Sequence, residues 1–215
     1  MNKTVSTKLK KFFKNYPDVK TIKGTIILSS GDSGKNVFFL ESGLVRSYSI
    51  NKNGEETTLL LFKPFSFFPS IPLFLGKTNS YYFQTIIPST LYKAPKEEVF
   101  EFIKTNPDIL LDLTTRILKG IEGLFLQIEL MGNGSAYQKL VNLLRVSTIR
   151  FGTTNNHKIS LPFTHQLIGS ITGSKRETIS RQLKKLREKN IIDITPGKII
   201  IENSSLLESE MKSFS

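Results

Sequence analysis

One stretch of the 215-residue chain limits its fold more than any other: THQLIGSITGSKRETISRQLKKLREKN, residues 164–190. Thr164 suits an N-cap, and Leu167, Ile168 and Ile171 give a short helix one inner face. Thr172-Gly173 then supplies a tight turn. From Ser174 a second helix is expected, with Ile179, Leu183 and Leu186 repeating at steps of four and three. A short helix, a glycine turn and a longer helix with one apolar stripe make a helix-turn-helix. The opposite stripe carries Lys175, Arg176, Glu177, Ser180, Arg181 and Lys184. That set suits a DNA major groove, where arginine bonds the O6 and N7 of guanine together and a carboxylate accepts from a base amino group. Behind it, IIDITPGKIII at 191–201 predicts two strands about Pro196-Gly197, a wing that presents Lys198 to phosphate.

Upstream the punctuation changes. GDSG, ESG and NKNGEE separate the short apolar runs VFFL, LVRSYSI, TTLLLF and YYFQTII between Thr25 and Tyr92, which predicts an all-β roll or barrel. KEEVFEFIKTNP, after Pro95, reads as a short amphipathic helix. After Pro107 the apolar period lengthens: Leu110, Thr114, Ile117, Ile121, Leu124, Ile128 and Met131 form a 3.5-residue seam. Such a seam serves a two-helix dimer interface, or a helix buried within one chain. Leu111, Leu118 and Phe125 form a second stripe, expected to pack back on the roll. GNGS at 132–135 is a breaker and marks a domain boundary; a helix follows, then the polar loop FGTTNNHK and a short strand. The expected organisation is α+β: residues 1–106 a β-roll, 107–131 a dimerisation helix, and 132–215 a winged helix-turn-helix.

Composition narrows the chemistry. Thirty Lys and Arg against 18 Asp and Glu give a formal +12, which favours a polyanion as partner, nucleic acid before an anionic membrane. Residues 135–215 carry net +7 and residues 1–134 net +5, so the positive charge is denser in the C-terminal part. With no cysteine, disulfides, thiolate-held clusters and cysteine nucleophiles are excluded. Neither a nucleophile elbow, a P-loop, a dinucleotide glycine motif nor a metal-spaced His-Glu pair occurs, so no catalytic residue, metal site or cofactor is assigned. The basic N-terminus lacks a signal-peptide core, and no apolar run is long enough to span a bilayer, so a cytoplasmic protein with no membrane partner is expected.

The recognition segment IGSITGSKRETISRQLKKLREKNII, together with VFFLESGLVRSYSINKNGEE upstream, resembles the Crp/Fnr family of bacterial transcription regulators. The resemblance covers nearly the whole chain and implies a cyclic-nucleotide-binding-like roll, a dimerising helix and a winged DNA-binding domain. It implies that Glu177 and Arg181 read bases, that Arg176 matches an extra base-reading arginine of the cyclic-AMP branch, and that Ser180 matches a serine of the Fnr branch. A palindrome with TGA-like half-sites, a homodimer and contact with RNA polymerase are what such membership implies. The family's nucleotide anchor is not matched: Pro69-Ser70 stands where a Gly-Glu pair is expected, and Ser80-Tyr81 where Arg-Ser is expected. A buried cyclic phosphate without an arginine is an unpaired anion, so cyclic nucleotides are not the expected effector. Haem is disfavoured because His157 and His165, read as ordinary surface residues, both lie in the C-terminal part. The region holds Phe65, Phe67, Phe68, Phe74, Tyr81 and Tyr82 instead, which are either the pocket for an apolar or aromatic effector or simply the core of the roll; in the second case the regulator is constitutive.

Overall fold

The computed structural model describes residues 3–155 and 158–212, the side chains at 3, 126, 127, 129–133 and 153–155 excepted. Its contacts divide the chain into two compact units, Met1–Glu122 and Gly123–Ser215.

In the first unit two four-stranded antiparallel sheets face each other. One has the order β1(Asp18–Thr21), β8(Ser89–Pro95), β3(Asn36–Ser42), β6(Phe67–Phe68); the other has β2(Ile26–Leu28), β7(Tyr82–Thr85), β4(Val45–Ile50), β5(Glu56–Phe62). β3 shows why its sequence is apolar without a break. Successive strand residues point to opposite faces, and both faces of β3 are covered. Phe38 and Leu40 join Leu28, Val45, Phe68, Phe83 and Leu91 between the sheets. Val37 and Phe39 face outward beneath helices α1(Lys3–Phe13), α3(Lys96–Lys104) and the start of α4(Pro107–Asn133), through Val5, Leu9, Phe13, Val99, Ile103, Ile109 and Leu113. The turn between β3 and β4 needs glycine, because Gly43 has φ +105° and a Cβ there would collide with Ser89.

Several sequence readings change here. The N-terminal segment, read only for its lack of a signal peptide, is an amphipathic helix whose Leu9 and Phe13 are wholly buried. A short helix, α2(Ser70–Leu75), interrupts the roll. The seam of α4 is not buried within the chain: Leu110, Ile117, Ile121, Leu124 and Ile128 are all exposed, and the side chain of Met131 lies outside the described residues. The second stripe does not pack back on the roll either. Leu111, Leu118 and Phe125 are 69%, 60% and 67% exposed, because Ile109, Leu113 and Arg116 occupy the face of α4 turned to the roll. The breaker acts later than its glycine suggests, since α4 continues through Gly132 and Asn133.

The second unit begins with α5(Ala136–Phe151), capped by Ser135 in a reciprocal box with Gln138. The stretch read as a polar loop contains a strand, β9(Thr153–Asn155), paired with β10(Lys158–Leu161). β10 pairs in turn with β12(Lys198–Ile201), and β12 with β11(Ile192–Thr195), completing a four-stranded sheet. Helices α6(His165–Thr172), α7(Arg176–Glu188) and the terminal α8(Ser204–Lys212) complete the unit. Among the described residues no helix is long and apolar enough to cross a membrane.

Candidate nucleic-acid interface

Local chemistry builds α6 and α7 as the sequence suggests, with one adjustment. The Thr164 hydroxyl accepts the Leu167 N–H at 3.1 Å and caps α6. Gly173 ends α6 in the left-handed region at φ +65°, its N–H donating to the Gly169 carbonyl. α7 begins at Arg176 rather than Ser174, with Lys175 as its N-cap, because Ser174 still donates its N–H back to Gly169 at 3.0 Å. Gly169 is the residue that lets the two helices meet: a Cβ there would stand 2.6 Å from the Ser174 carbonyl oxygen.

The two faces of α7 divide cleanly. Ile179, Leu183 and Leu186 are 0% exposed and fix the helix to its unit. Lys175, Arg176, Glu177, Ser180, Arg181 and Lys184 are all exposed on the other side. Burying one stripe this completely determines which way the polar stripe turns. Among the described residues, Lys175, Arg176, Arg181 and Lys198 enter no ion pair, while Lys184 lies 3.8 Å from Glu188. Lys198 is exposed at the first position of β12, directly after the Pro196-Gly197 turn, where Gly197 takes φ +75°.

The far end of α7 is tied down. Arg187 pairs with Asp193 of β11 at 3.2 Å. Lys189 donates to Glu210 of α8 at 2.6 Å, and the Tyr137 hydroxyl of α5 donates to the same carboxylate at 2.8 Å. The Lys189 hydrogen bond holds the Glu210 carboxyl below its ordinary range, and the same bond raises Lys189. Burial raises the Tyr137 phenol, and its bond to Glu210 adds to this. His165, read from sequence as a surface residue, is half-buried beside Arg176; burial first and the arginine second hold its imidazole below its ordinary value. His157 lies outside the described residues. Sequence reasoning missed Gly169, His165 and the Tyr137–Glu210–Lys189 cluster. Only Gly169 had a local signal, a glycine inside a helical pattern; the others meet through contacts distant in sequence.

In the roll, the six aromatic residues do not share one place. Phe67 and Phe68 are core on opposite sides of one sheet, Phe65 packs at the edge of the outer cluster, and Tyr81 packs against the inner one. Phe74 is partly exposed against Phe100 of α3, and Tyr82 stacks on Tyr48. Where the nucleotide anchor would stand, Pro69 leads into α2 with no side-chain cap. Beside Ser80, the buried Asn79 amide donates to the carbonyls of Ser29 and Tyr81. The first 122 residues contain two arginines. Arg46 is occupied by Glu56, Gln84 and Thr58. Arg116 pairs with Asp112 at 2.8 Å and donates to the Phe65 carbonyl at 2.9 Å. Its Nη2 is buried with no hydrogen-bond partner among the described residues. Phe65 itself holds φ +69°, a conformation rare for a side chain with a Cβ. Among the described residues no group of His, Asp or Glu is arranged to hold a metal ion.

Comparison with known proteins agrees with this geometry. Residues 19–106 match the family model of the cyclic nucleotide-binding domain, and residues 138–210 match that of the Crp-like helix-turn-helix domain. The chain is 32% identical over 203 residues to the global nitrogen regulator of Synechocystis sp., covering 90% of this chain and 88% of the relative. It is 25% identical over 191 residues to the cAMP-activated global transcriptional regulator CRP of Pasteurella multocida, covering 86% and 87%. A solved CRP/FNR-family transcriptional regulator from Thermus thermophilus superposes with a TM-score of 0.72 at 24% identity, covering 91% of this chain and 98% of that one.

Proposed function

Since the chain belongs to the Crp/Fnr family of transcription regulators and carries its DNA-binding helix-turn-helix, we propose that it binds a palindromic operator as a homodimer, reading bases with the exposed stripe of α7. It is a regulator and not an enzyme. The observation that carries the reading is the division of α7 into a fully buried apolar stripe and an exposed stripe with Arg176, Glu177, Ser180 and Arg181. Glu177 and Arg181 are the base readers in this reading; Thr164, Lys175, Lys184 and Lys198 meet phosphate. TGA-like half-sites, contact with RNA polymerase and a cytoplasmic location go with it.

The exposed seam of α4 supports the dimer. Five apolar side chains left open along one helix are a cost to a monomer and an interface for a pair. Two copies place two recognition helices about one duplex turn, roughly 34 Å, apart. In this reading residues 1–106 sense, 107–131 dimerise and 132–215 bind DNA. Ile121→Asp tests it: sedimentation is expected to show monomers that no longer bind operator, and an unchanged dimer contradicts the seam.

The effector is a small molecule other than a cyclic nucleotide, because neither arginine of the first 122 residues belongs to the α2 region, where the family's phosphate anchor is expected. The Nη2 of Arg116 beside Phe65, buried with no hydrogen-bond partner among the described residues, favours a ligand that combines an aromatic or apolar body with a hydrogen-bond acceptor. A thermal-shift screen of aromatic and aliphatic carboxylates against the wild type and Arg116→Met tests this. Stabilisation of the wild type alone is expected. No stabilisation by any of them, with full DNA affinity in their absence, favours a constitutive regulator with a ligand-free roll.

A further inference from the structure

The base-reading residues of α7 lie in its N-terminal half, yet its other end is held by groups from outside the helix-turn-helix. α7 has 13 residues and spans about 20 Å. The buried line Ile179, Leu183 and Leu186 sets which side of the helix faces inward, but one line of contacts resists a sideways swing of the axis poorly. Ties at the two ends resist it directly. At the N-terminal end Ser174 donates its N–H to the Gly169 carbonyl at 3.0 Å. At the C-terminal end Arg187 pairs with Asp193, but these side chains are 61% and 43% exposed, and exposed pairs contribute little. Lys189, the C-cap residue, donates instead to a Glu210 side chain that is 18% exposed.

Glu210 is itself fixed. Its second oxygen accepts the Tyr137 hydroxyl from the first turn of α5, and the Lys189 ammonium stands 5.5 Å from the Tyr137 ring. Both oxygens of one carboxylate are thus committed to two other helices by charge-assisted bonds. α8 has little room to yield, since Leu207 is 2% exposed and the Ile191 carbonyl accepts the N–H groups of Glu202 and Asn203 at its start. Resting on the reading that α7 reads bases, we infer that Glu210 is a positioning residue for sequence specificity: without touching DNA, it ties the end of α7 to α5 and sets the tilt at which Arg176, Glu177 and Arg181 enter the groove. From Leu183, Lys189 lies about 9 Å along the helix and Arg176 about 10 Å the other way. A sideways shift of about 1 Å at Lys189 therefore moves Arg176 by about as much, which is enough to break a base-edge bond that holds only over about 2.7–3.2 Å. Long lysine side chains on phosphate follow such a shift, and those contacts carry no sequence information.

Fluorescence anisotropy of the full-length chain tests this, on the duplex that the wild type selects from a random pool and on random duplex, with thermal melting of each variant alongside. Glu210→Ala is expected to lower the ratio of specific to random affinity at least about five-fold, with random affinity changed less than about two-fold. Exchanging the pair, Lys189→Glu with Glu210→Lys, leaves the net charge unchanged and is expected to recover most of the ratio. A Glu210→Ala chain that melts lower than wild type but keeps its ratio makes the contact merely structural and overturns the inference. An exchanged pair that recovers the melting temperature and not the ratio does the same. Tyr137→Phe removes one hydroxyl and keeps the ring, so it reports even where Glu210→Ala fails to fold: a fall of about two-fold or more in the ratio is expected, and an unchanged ratio contradicts the inference. A wild-type chain that selects no sequence from the pool refutes instead the base-reading role of α7 on which this rests.

Discussion

Gly169→Ala tests whether the α6–α7 turn is set by close backbone contact. Two terms oppose each other. In the middle of a helix, alanine is more favourable than glycine by about 1 kcal/mol. Against this, the new Cβ would stand 2.6 Å from the Ser174 carbonyl oxygen, where ordinary contact begins at 3.4 Å. The backbone must then yield by about 0.8 Å, and overpacking of this kind costs roughly 1–3 kcal/mol. The net change in stability is small, about 0–2 kcal/mol of loss. The displacement falls on the Ser174 carbonyl, two residues ahead of Arg176, where α7 begins and carries Arg176 and Glu177. DNA affinity therefore falls more than stability does. Thermal melting by circular dichroism, paired with fluorescence anisotropy on an operator, separates the two. The expected result is a melting temperature near wild type with at least a ten-fold weaker specific complex. A variant stabilised by about 1 kcal/mol that binds operator normally would refute the reasoning, because it would mean that the contact is not tight.

Arg181→Ala is expected to lose roughly 1–3 kcal/mol on operator DNA and little on random DNA, whereas Lys198→Ala weakens both alike and lowers the salt slope by about one; anisotropy across a salt series measures each. Leu9→Ala removes a side chain of α1 that is 0% exposed and should cost about 2–5 kcal/mol in chemical unfolding; a cost near zero would mean that α1 is not part of the core. Glu210→Gln tests the brace behind α7. The folded-state pKa of Glu210 lies below its ordinary 4.5, so the bond to Lys189 stabilises the fold above that pH and is lost as pH falls through the lowered value. The melting temperature of Glu210→Gln is therefore expected to lie below wild type at neutral pH and to converge with it in acid. His165 works in the same direction: its imidazole is held below the ordinary 6.5, so acidification through that range favours the unfolded chain, and His165→Gln should reduce that dependence.

The readable parts of the sequence were those in which neighbours along the chain are also neighbours in space. The helix-turn-helix is such a case, since Thr164, Gly173 and the stripe Ile179, Leu183, Leu186 each act on residues a few positions away. The wing is another, because Pro196-Gly197 sets its own hairpin. The seam was legible as a period, but its exposure was not: whether Ile117 faces the roll or solvent depends on which flank of α4 Leu113 and Arg116 occupy. β9 was missed because three polar residues carry no alternating pattern and owe their pairing to β10. The N-terminal helix is written in Val5, Leu9, Phe12 and Phe13 at helical spacing, but the segment was read only for its basic charge and for the signal-peptide core it lacks. The six aromatic residues share a sequence neighbourhood yet divide among the outer cluster, the inner cluster and the surface, since consecutive strand residues such as Phe67 and Phe68 point opposite ways.

Selection of bound sequences from a random duplex pool by the full-length protein tests the central claim most directly. The account predicts two inverted half-sites with centres about 10 base pairs apart, and relaxation at one symmetric position when the selection is repeated with Arg181→Ala. Enrichment of a single unrepeated site, or of none, or an Arg181→Ala selection identical to wild type, would contradict a dimer that reads DNA with α7.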